Sequence, residues 1–212
     1  MDKGKIMKVS LIIPAYRRPE LLDIGLHSIT SYSRNYDLEI VVVNDGVLDK
    51  TVEVCHKYTD KVEIKYIFSG HRNLDGVMKT RVPGFAINIG VQHSTGDILV
   101  FSCPEVYHLN NALEIIVNKL GENPNTMVVP ELMYFDQRGE LTEKLKRDIG
   151  YAIDYNLLSQ DDAYNRAHVQ MPYLMAMQRQ HFVDIGGYDE DFIGHAGEDN
   201  DLVGRLGLKG LV

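Results

Sequence analysis

The sequence predicts an α/β fold: a mainly parallel central sheet with helices on both faces. Three observations carry this. Short apolar, β-branched runs at Val9–Ile13, Leu38–Val43 and Ile98–Phe101 have the length and bulk of buried strands. Segments with apolar residues at helical spacing lie between them. The runs stop at turn or helix-start signals, so strand and helix alternate as far as Pro130.

Taken in order, Val9–Ile13 is the first strand, and Pro14, with no N–H for a ladder, is read as its end. Pro19 opens a helix at the first-turn position, where a missing N–H costs nothing, and Leu22, Leu26 and Ile29 share one face. Leu38–Val43 is the second strand, stopped by the turn signal Asn44-Asp45-Gly46. A weaker helix over about Lys50–Tyr58 and a third strand, Val62–Phe68, follow, then a polar, glycine-containing loop over Ser69–Thr80. Pro83 opens a helix carrying Ala86, Ile89 and Val91 that ends near Gly96. Ile98–Phe101 follows a Thr-Gly-Asp turn signal, runs into Pro104 and is read as a doubly covered strand at the centre of the sheet.

Leu109, Leu113, Ile116 and Leu120 recur at helical spacing, giving an amphipathic helix stopped by Gly121. Met127–Val129 is a further strand. The rhythm breaks over Glu131–Arg166, a long polar segment with Tyr134, Tyr151, Tyr155 and Tyr164 scattered in it. Loops of that length in a compact domain are usually functional or mobile. Leu174–Met177 reads as a strand, His181–Ile185 as a helical turn ending at Gly186-Gly187, and Asp201–Leu208 as the last helix.

The bulk numbers bound the function. A chain of 212 residues suits one domain over 1–212. A net charge of −8 with no basic stripe argues against unaided nucleic-acid binding, which relies on clustered Lys and Arg. No apolar run is long enough for a membrane span, and Met1–Lys8 lacks the apolar region of a secretory signal. Cys55 and Cys103 are the only cysteines and form no CxxC pattern, so a reduced, cytoplasmic compartment is expected. No Walker A pattern and no GxGxxG follows a strand, which argues against a P-loop NTPase and a dinucleotide-binding domain.

In open α/β sheets ligands bind outside the carboxyl ends of the strands. Three such ends converge in this topology: Pro14-Ala15-Tyr16-Arg17, Asn44-Asp45-Gly46 and Cys103-Pro104-Glu105. Each alone has a plain explanation, since Pro14 ends a strand and Asp45-Gly46 makes a turn. The cluster Glu198-Asp199-Asn200-Asp201 also has one: acidic residues in a first helical turn gain roughly 0.3–1 kcal/mol each from the helix dipole. Cys103 paired with His108 or His195 would make a nucleophile, but nothing electropositive flanks it, and a buried inert thiol is the better reading.

Together and in this order the motifs resemble family-2 glycosyltransferases of the Rossmann-like GT-A fold. Val9–Arg17 resembles their opening strand and its Pro-x-Tyr/Asn loop; Ile40–Gly46 resembles their second strand with its Asp-Asp/Asn-Gly end. Gly84–Gly90 resembles their Gly-x-Ala-x-Asn-x-Gly helix, and Gly96–Phe101 the strand leading to their Asp-x-Asp. Ile185–Phe192 and Gly197–Leu202 resemble their Gly-Gly-Phe-Asp-Glu and Glu-Asp-x-Asp-Leu segments.

The resemblance implies a nucleotide-binding half over about 9–130 and an acceptor-side half over about 131–212. It implies transfer of a sugar from a nucleotide-diphosphate donor, UDP-linked, to a glycan, lipid-linked or protein hydroxyl, at the cytoplasmic side or inner membrane face. Pro14, Ala15, Tyr16 and Arg17 would border the donor, with Tyr16 stacking on the base. Asp45 would accept the base imide N–H. Arg81 would contact phosphate, the backbone at Gly84 would pass close to the donor, and Asn88 and Cys103 would complete its site. Glu105 would ligate Mn²⁺ or Mg²⁺, although Cys103 stands where the family has the first Asp, and a thiolate is too soft for such an ion. Asp199 would be the general base of an inverting reaction, with Glu198 orienting hydroxyls.

Two other readings stay open. The departure at Cys103-Pro104-Glu105, and a chain stopping at Val212 where family members continue, suit a degenerate or truncated nucleotide-sugar-binding module without turnover. A nucleotidyltransferase would need a glycine-rich, basic signature after the first strand, which Pro14–Pro19 does not supply.

Overall fold

β1 (Lys8–Ala15) is the strand on which the sheet is built. The computed structural model describes residues 7–71, 82–108, 110–130, 132, 173–192 and 197–211. The expectations for Arg81, Leu109, His195 and most of the 69–80 and 131–166 segments lie outside these residues.

The chain continues through α1 (Pro19–Thr30), β2 (Asp37–Asn44), α2 (Thr51–His56), β3 (Glu63–Phe68), α3 (Pro83–Gln92), β4 (Ile98–Ser102), α4 (Ala112–Glu122), β5 (Leu174–Gln178), α5 (Arg179–Asp184) and α6 (Glu198–Leu208). The sheet order is β3-β2-β1-β4-β5. β1 runs parallel to β2 and β4, and β2 to β3; β5 is antiparallel to β4. β1 therefore holds the centre, and β4, expected there, is one strand over. Every residue of β4 is still buried.

Alternation along each strand feeds two cores. Val9, Leu11, Ile13 and Ala15 of β1 pack with Leu22, Leu26 and Ile29 of α1, Val54 of α2 and Ile116 of α4. Ile12, Val41, Leu99 and Phe101 face the other way, onto Ala86 and Val91 of α3, Phe182 of α5 and Leu202 and Leu206 of α6.

Pro14 does not end β1. Ala15 gives its carbonyl to the Asp45 N–H at 2.7 Å. The alternate residue Pro14 thus faces the β4 side, where pairing has already stopped at Ile12–Phe101, and its missing N–H costs no ladder bond. The expected strand at Met127–Val129 is reduced to one bridge between Val128 and Ala176. Gly121 lies within α4 rather than ending it, and α6 begins at Glu198, taking the acidic cluster into its first turn.

The amino edge of the sheet is tied by the buried Glu39 carboxylate. Oε1 accepts from Ser10 Oγ at 2.6 Å, Gly96 N at 3.1 Å and the Thr95 N–H, while Oε2 takes Lys65 Nζ at 2.6 Å. Burial alone would raise its pKa; the hydrogen bonds from Lys65, Ser10 and Thr95 outweigh it and pull it from 4.5 to about 2. Elsewhere His108, buried beside α1 with its N–H on Ser28 Oγ at 3.0 Å, has its pKa lowered from 6.5 to about 4 by desolvation.

Both shifts act in the same direction. Each group is held in its deprotonated form by folding, so its stabilisation is complete above its unfolded pKa and lost as pH falls through the folded one. The midpoint of thermal unfolding is expected to fall as pH drops from 6.5 to about 4 through His108, and again from 4.5 to about 2 through Glu39. Glu39 alone is worth on the order of 3 kcal/mol across its range. Calorimetry of Glu39→Gln should show the lower limb flattened, with a lower midpoint at pH 7.

Candidate active site

The carboxyl edge carries the functional side chains because parallel strands deliver their following loops to one rim. β1 exits through Tyr16, Arg17 and Arg18. Arg17 is the only non-glycine residue at positive φ (54°) among the described residues, a costly conformation that clusters at functional turns. Its guanidinium lies 5.3 Å from the centroid of the half-buried Tyr16 ring, a cation–π contact. Arg18 is the N-cap residue of α1, and no side chain caps that helix.

β2 exits at Asn44 and Asp45. Asp45 is 2% exposed and accepts from Ser69 Oγ, beyond β3, at 2.9 Å. Asn44 donates to Asp49 at 3.2 Å and to the Tyr66 hydroxyl at 3.1 Å, and Asp49 accepts from Thr51 at the start of α2. The ends of β1, β2 and β3 are thus locked to one another.

β4 exits into a turn in which the Val106 N–H bonds to the Cys103 carbonyl at 3.2 Å, with Pro104 and Glu105 at its corner. The turn lies directly on α1 because Gly25 has no side chain: a Cβ there would stand 2.7 Å from the Pro104 carbonyl oxygen. This closeness brings Glu105 Oε1 to 2.5 Å from Arg18 Nη1.

The last component comes from the C-terminal segment. Gly186 and Gly187, both at positive φ, turn the chain after α5 into Tyr188. The Asn88 amide clamps that turn: Oδ1 accepts from the Tyr188 N–H at 3.0 Å, and Nδ2 donates to the Tyr188 carbonyl at 2.8 Å and to Glu190 at 2.9 Å. The Tyr188 ring fills the space left by Gly84, where a Cβ would come within 2.7 Å of it. Its hydroxyl donates to Asp199 Oδ1 at 2.8 Å. Asn88 and Gly84, read in the sequence as donor contacts, place Tyr188.

The charges at this rim sense one another. Cys103 is pushed up to about 12, by burial first and then by the negative charges of Glu105 and Asp199, against Arg18. It is a neutral thiol at pH 7. Asp199 is raised by burial, and the Tyr188 hydrogen bond opposes the rise. Glu198 is raised by burial and by Asp199; it is 5% exposed, and its Oε2 has no hydrogen-bond partner among the described residues. Tyr188 itself is raised well above its ordinary value by burial and by Asp199.

The structure thus brings Asp199, Glu198, Cys103 and Glu105 into one electrostatic group, and the backbones of Ala15, which follows Pro14, and Asp45 together at a second place. The β1 exit loop, with Tyr16 and Arg17, links the two. Arg18 and Tyr188 were missed in the sequence. The Arg-Arg pair before a helix-opening proline was the one available signal for Arg18; Tyr188 stood where only an apolar aromatic was expected.

A divalent cation needs several hard oxygen ligands. The β4 exit offers one carboxylate, Glu105, already paired with Arg18, beside the neutral thiol of Cys103. His108 is turned into the core. Among the described residues no group of three His, Cys, Asp or Glu is placed to hold a metal. Among the described residues this donor set does not by itself build a cation site.

Known structures share the fold. A mannosyltransferase from Pyrobaculum calidifontis, solved with GDP-Man and Mn²⁺, matches with a TM-score of 0.67 at 17% identity, over 98% of this chain and 54% of that one. Residues 1–349 of S. aureus TarS, solved with UDP-GlcNAc, match at 0.65 and 16% identity, over 94% and 53%. These likenesses establish a GT-A architecture. The chain belongs to glycosyl transferase family 2, whose profile matches residues 10–186. A family described as the N-terminal domain of galactosyltransferase matches 163–212. The chain is 28% identical to a validoxylamine A glucosyltransferase of Streptomyces hygroscopicus subsp. jinggangensis over 96% of its length and 52% of the relative's. It is 36% identical to Pasteurella multocida chondroitin synthase over 30% of its length and 7% of that protein's. It spans about half the length of the validoxylamine glucosyltransferases it matches. No helix of the described residues is long and apolar enough to cross a membrane.

The Tyr188 hydroxyl favours the ionised form of Asp199, so removing it should raise the Asp199 pKa further. Carbon-detected NMR titration of Tyr188→Phe is expected to show that rise with the fold retained. An unchanged Asp199 titration would contradict the contact.

Proposed function

We propose that this chain carries the donor site and general base of an inverting glycosyltransferase acting on a nucleoside-diphosphate sugar, UDP-linked. The observation that supports this most is the placement of Asp199. It lies on α6, is oriented by Tyr188, and is near enough to the β4 exit for its charge to be felt at Cys103.

In this reading Asp45 accepts the base imide N–H while Ser69 fixes its carboxylate, and Tyr16 covers the base. An acceptor hydroxyl attacks the anomeric carbon, the bond from that carbon to the diphosphate breaks, and the hydroxyl proton passes to Asp199. Burial serves the last step, because a carboxylate whose pKa is raised is a stronger base for the hydroxyl proton. The unpartnered Oε2 of Glu198 suits an accepted hydrogen bond from a sugar hydroxyl. The Pyrobaculum mannosyltransferase, solved in complex with GDP-Man and Mn²⁺, motivates testing a cation here, and in this reading the acceptor is a hydroxyl on a glycan, lipid-linked molecule or protein.

The rival, a nucleotide-sugar-binding module without turnover, is favoured by the neutral thiol at Cys103. Incubation with UDP-glucose, UDP-GlcNAc, UDP-galactose and GDP-mannose, each with Mn²⁺ and with EDTA, separates the two. Transfer or donor hydrolysis by the wild type is expected. Asp199→Asn should lower it by about 10²-fold or more while donor affinity stays within about threefold. Binding without any released sugar would favour the module.

A further inference from the structure

We propose that Arg18 takes up the diphosphate of the donor, in the place where a divalent cation would otherwise sit on Glu105. The proposal rests on the nucleotide-sugar reading above and names the group that meets the phosphates.

Position comes first. β1 leads to β2 on one side, while β4 lies on the other, so the chain reverses its order between β1 and β4. Ligands of open α/β sheets enter the crevice at such a switch point. Arg18 and Glu105 follow the carboxyl ends of those two strands and bridge them at 2.5 Å. The bridge is set by backbone: the 103–106 turn lies on α1 at Gly25, and Arg17 in the left-handed region turns the chain so that Arg18 opens α1.

Chemistry comes second. Glu105 unpaired would repel a diphosphate, and a cation normally cancels that repulsion. Here the guanidinium already does so. It spends one nitrogen on Glu105. Its side chain is 52% exposed, leaving the rest of the fork open. A planar guanidinium binds phosphate oxygens through paired, charge-assisted hydrogen bonds, whereas an ammonium acts only as a point charge. The α1 N-terminus, uncapped by any side chain, adds partial positive charge beside it. The remaining donors at the β4 exit, a neutral thiol and an engaged carboxylate, do not build a cation site.

Calorimetric titration of the chain with UDP and with GDP, in EDTA and in Mn²⁺, tests this with wild type, Arg18→Met and Arg18→Lys. Thermal unfolding confirms that each variant is folded, which the exposure of Arg18 favours. The expected result is that the nucleotide that binds does so in EDTA within about threefold of its affinity in Mn²⁺. Arg18→Met should weaken it by about tenfold or more in EDTA, the loss of hydrogen bonds to a charged group, with Arg18→Lys in between. Binding by wild type in Mn²⁺ alone, or an Arg18→Met affinity equal to wild type, overturns the role of Arg18 and leaves the nucleotide-sugar reading standing. Folded wild type that binds neither nucleotide in either condition overturns that reading, and the proposal with it.

Discussion

Tyr188 is the joint on which the site depends. Its ring is buried against Phe101 and Phe182, with centroids 6.3 and 6.1 Å away, and fills the space above Gly84. Its backbone is clamped by Asn88, and its hydroxyl reaches Asp199. A second clamp comes from α6: Arg205, paired with Asp201 one turn earlier, donates to the carbonyls of Ile185 and Gly187 at 2.8 Å. Leu202 and Leu206 bury α6 against the sheet, and these polar ties with the Tyr188 ring fix where the helix begins. They fix where Asp199 points.

The two edges of the sheet use charge differently. At the amino edge Glu39 is buried, satisfied on both oxygens and permanently ionised above acid pH. It ties β1, β2, β3 and the turn before β4, while Arg179 reaches into the same region through Gly96 O at 2.5 Å and Ser94 Oγ at 2.8 Å. A buried carboxylate so fully bonded would be costly to leave with any one of these partners removed. At the carboxyl edge the charges are less committed. The Arg18–Glu105 pair is half exposed, which makes it weak and exchangeable. Burial raises both Glu198 and Asp199, and Arg17 holds a strained backbone. Rigidity at one edge supports adaptable charge at the other.

Much of the fold was legible in the sequence. The β-branched runs locate four of the five strands to within a residue or two, and the prolines locate the starts of two helices, the second of which ends at Gln92 rather than near Gly96. What failed did so for tertiary reasons. Pro14 looks like a strand end until the ladder on its β4 side is seen to have stopped already. Ile98–Phe101 looks central because it is apolar throughout, but being covered on both faces does not fix a strand's place in the order. The site was legible as a set of strand ends and less so as a set of roles. Asn88 and Gly84 sit in a motif that resembles a donor-binding helix, and their work in this chain is to seat a tyrosine a hundred positions away. The pairing of Arg18 with Glu105 is invisible in sequence because it needs Gly25 to bring a loop onto a helix.

The central claim is that strand exits far apart in the chain, and the first turn of α6, border one ligand. Hydrogen–deuterium exchange on adding a saturating nucleoside diphosphate measures this directly. The account predicts joint protection of 14–18, 44–46, 103–106 and 197–201, with the Glu39 edge unchanged. Protection confined to one of these segments, or falling on α4 and the amino edge of the sheet, would contradict it.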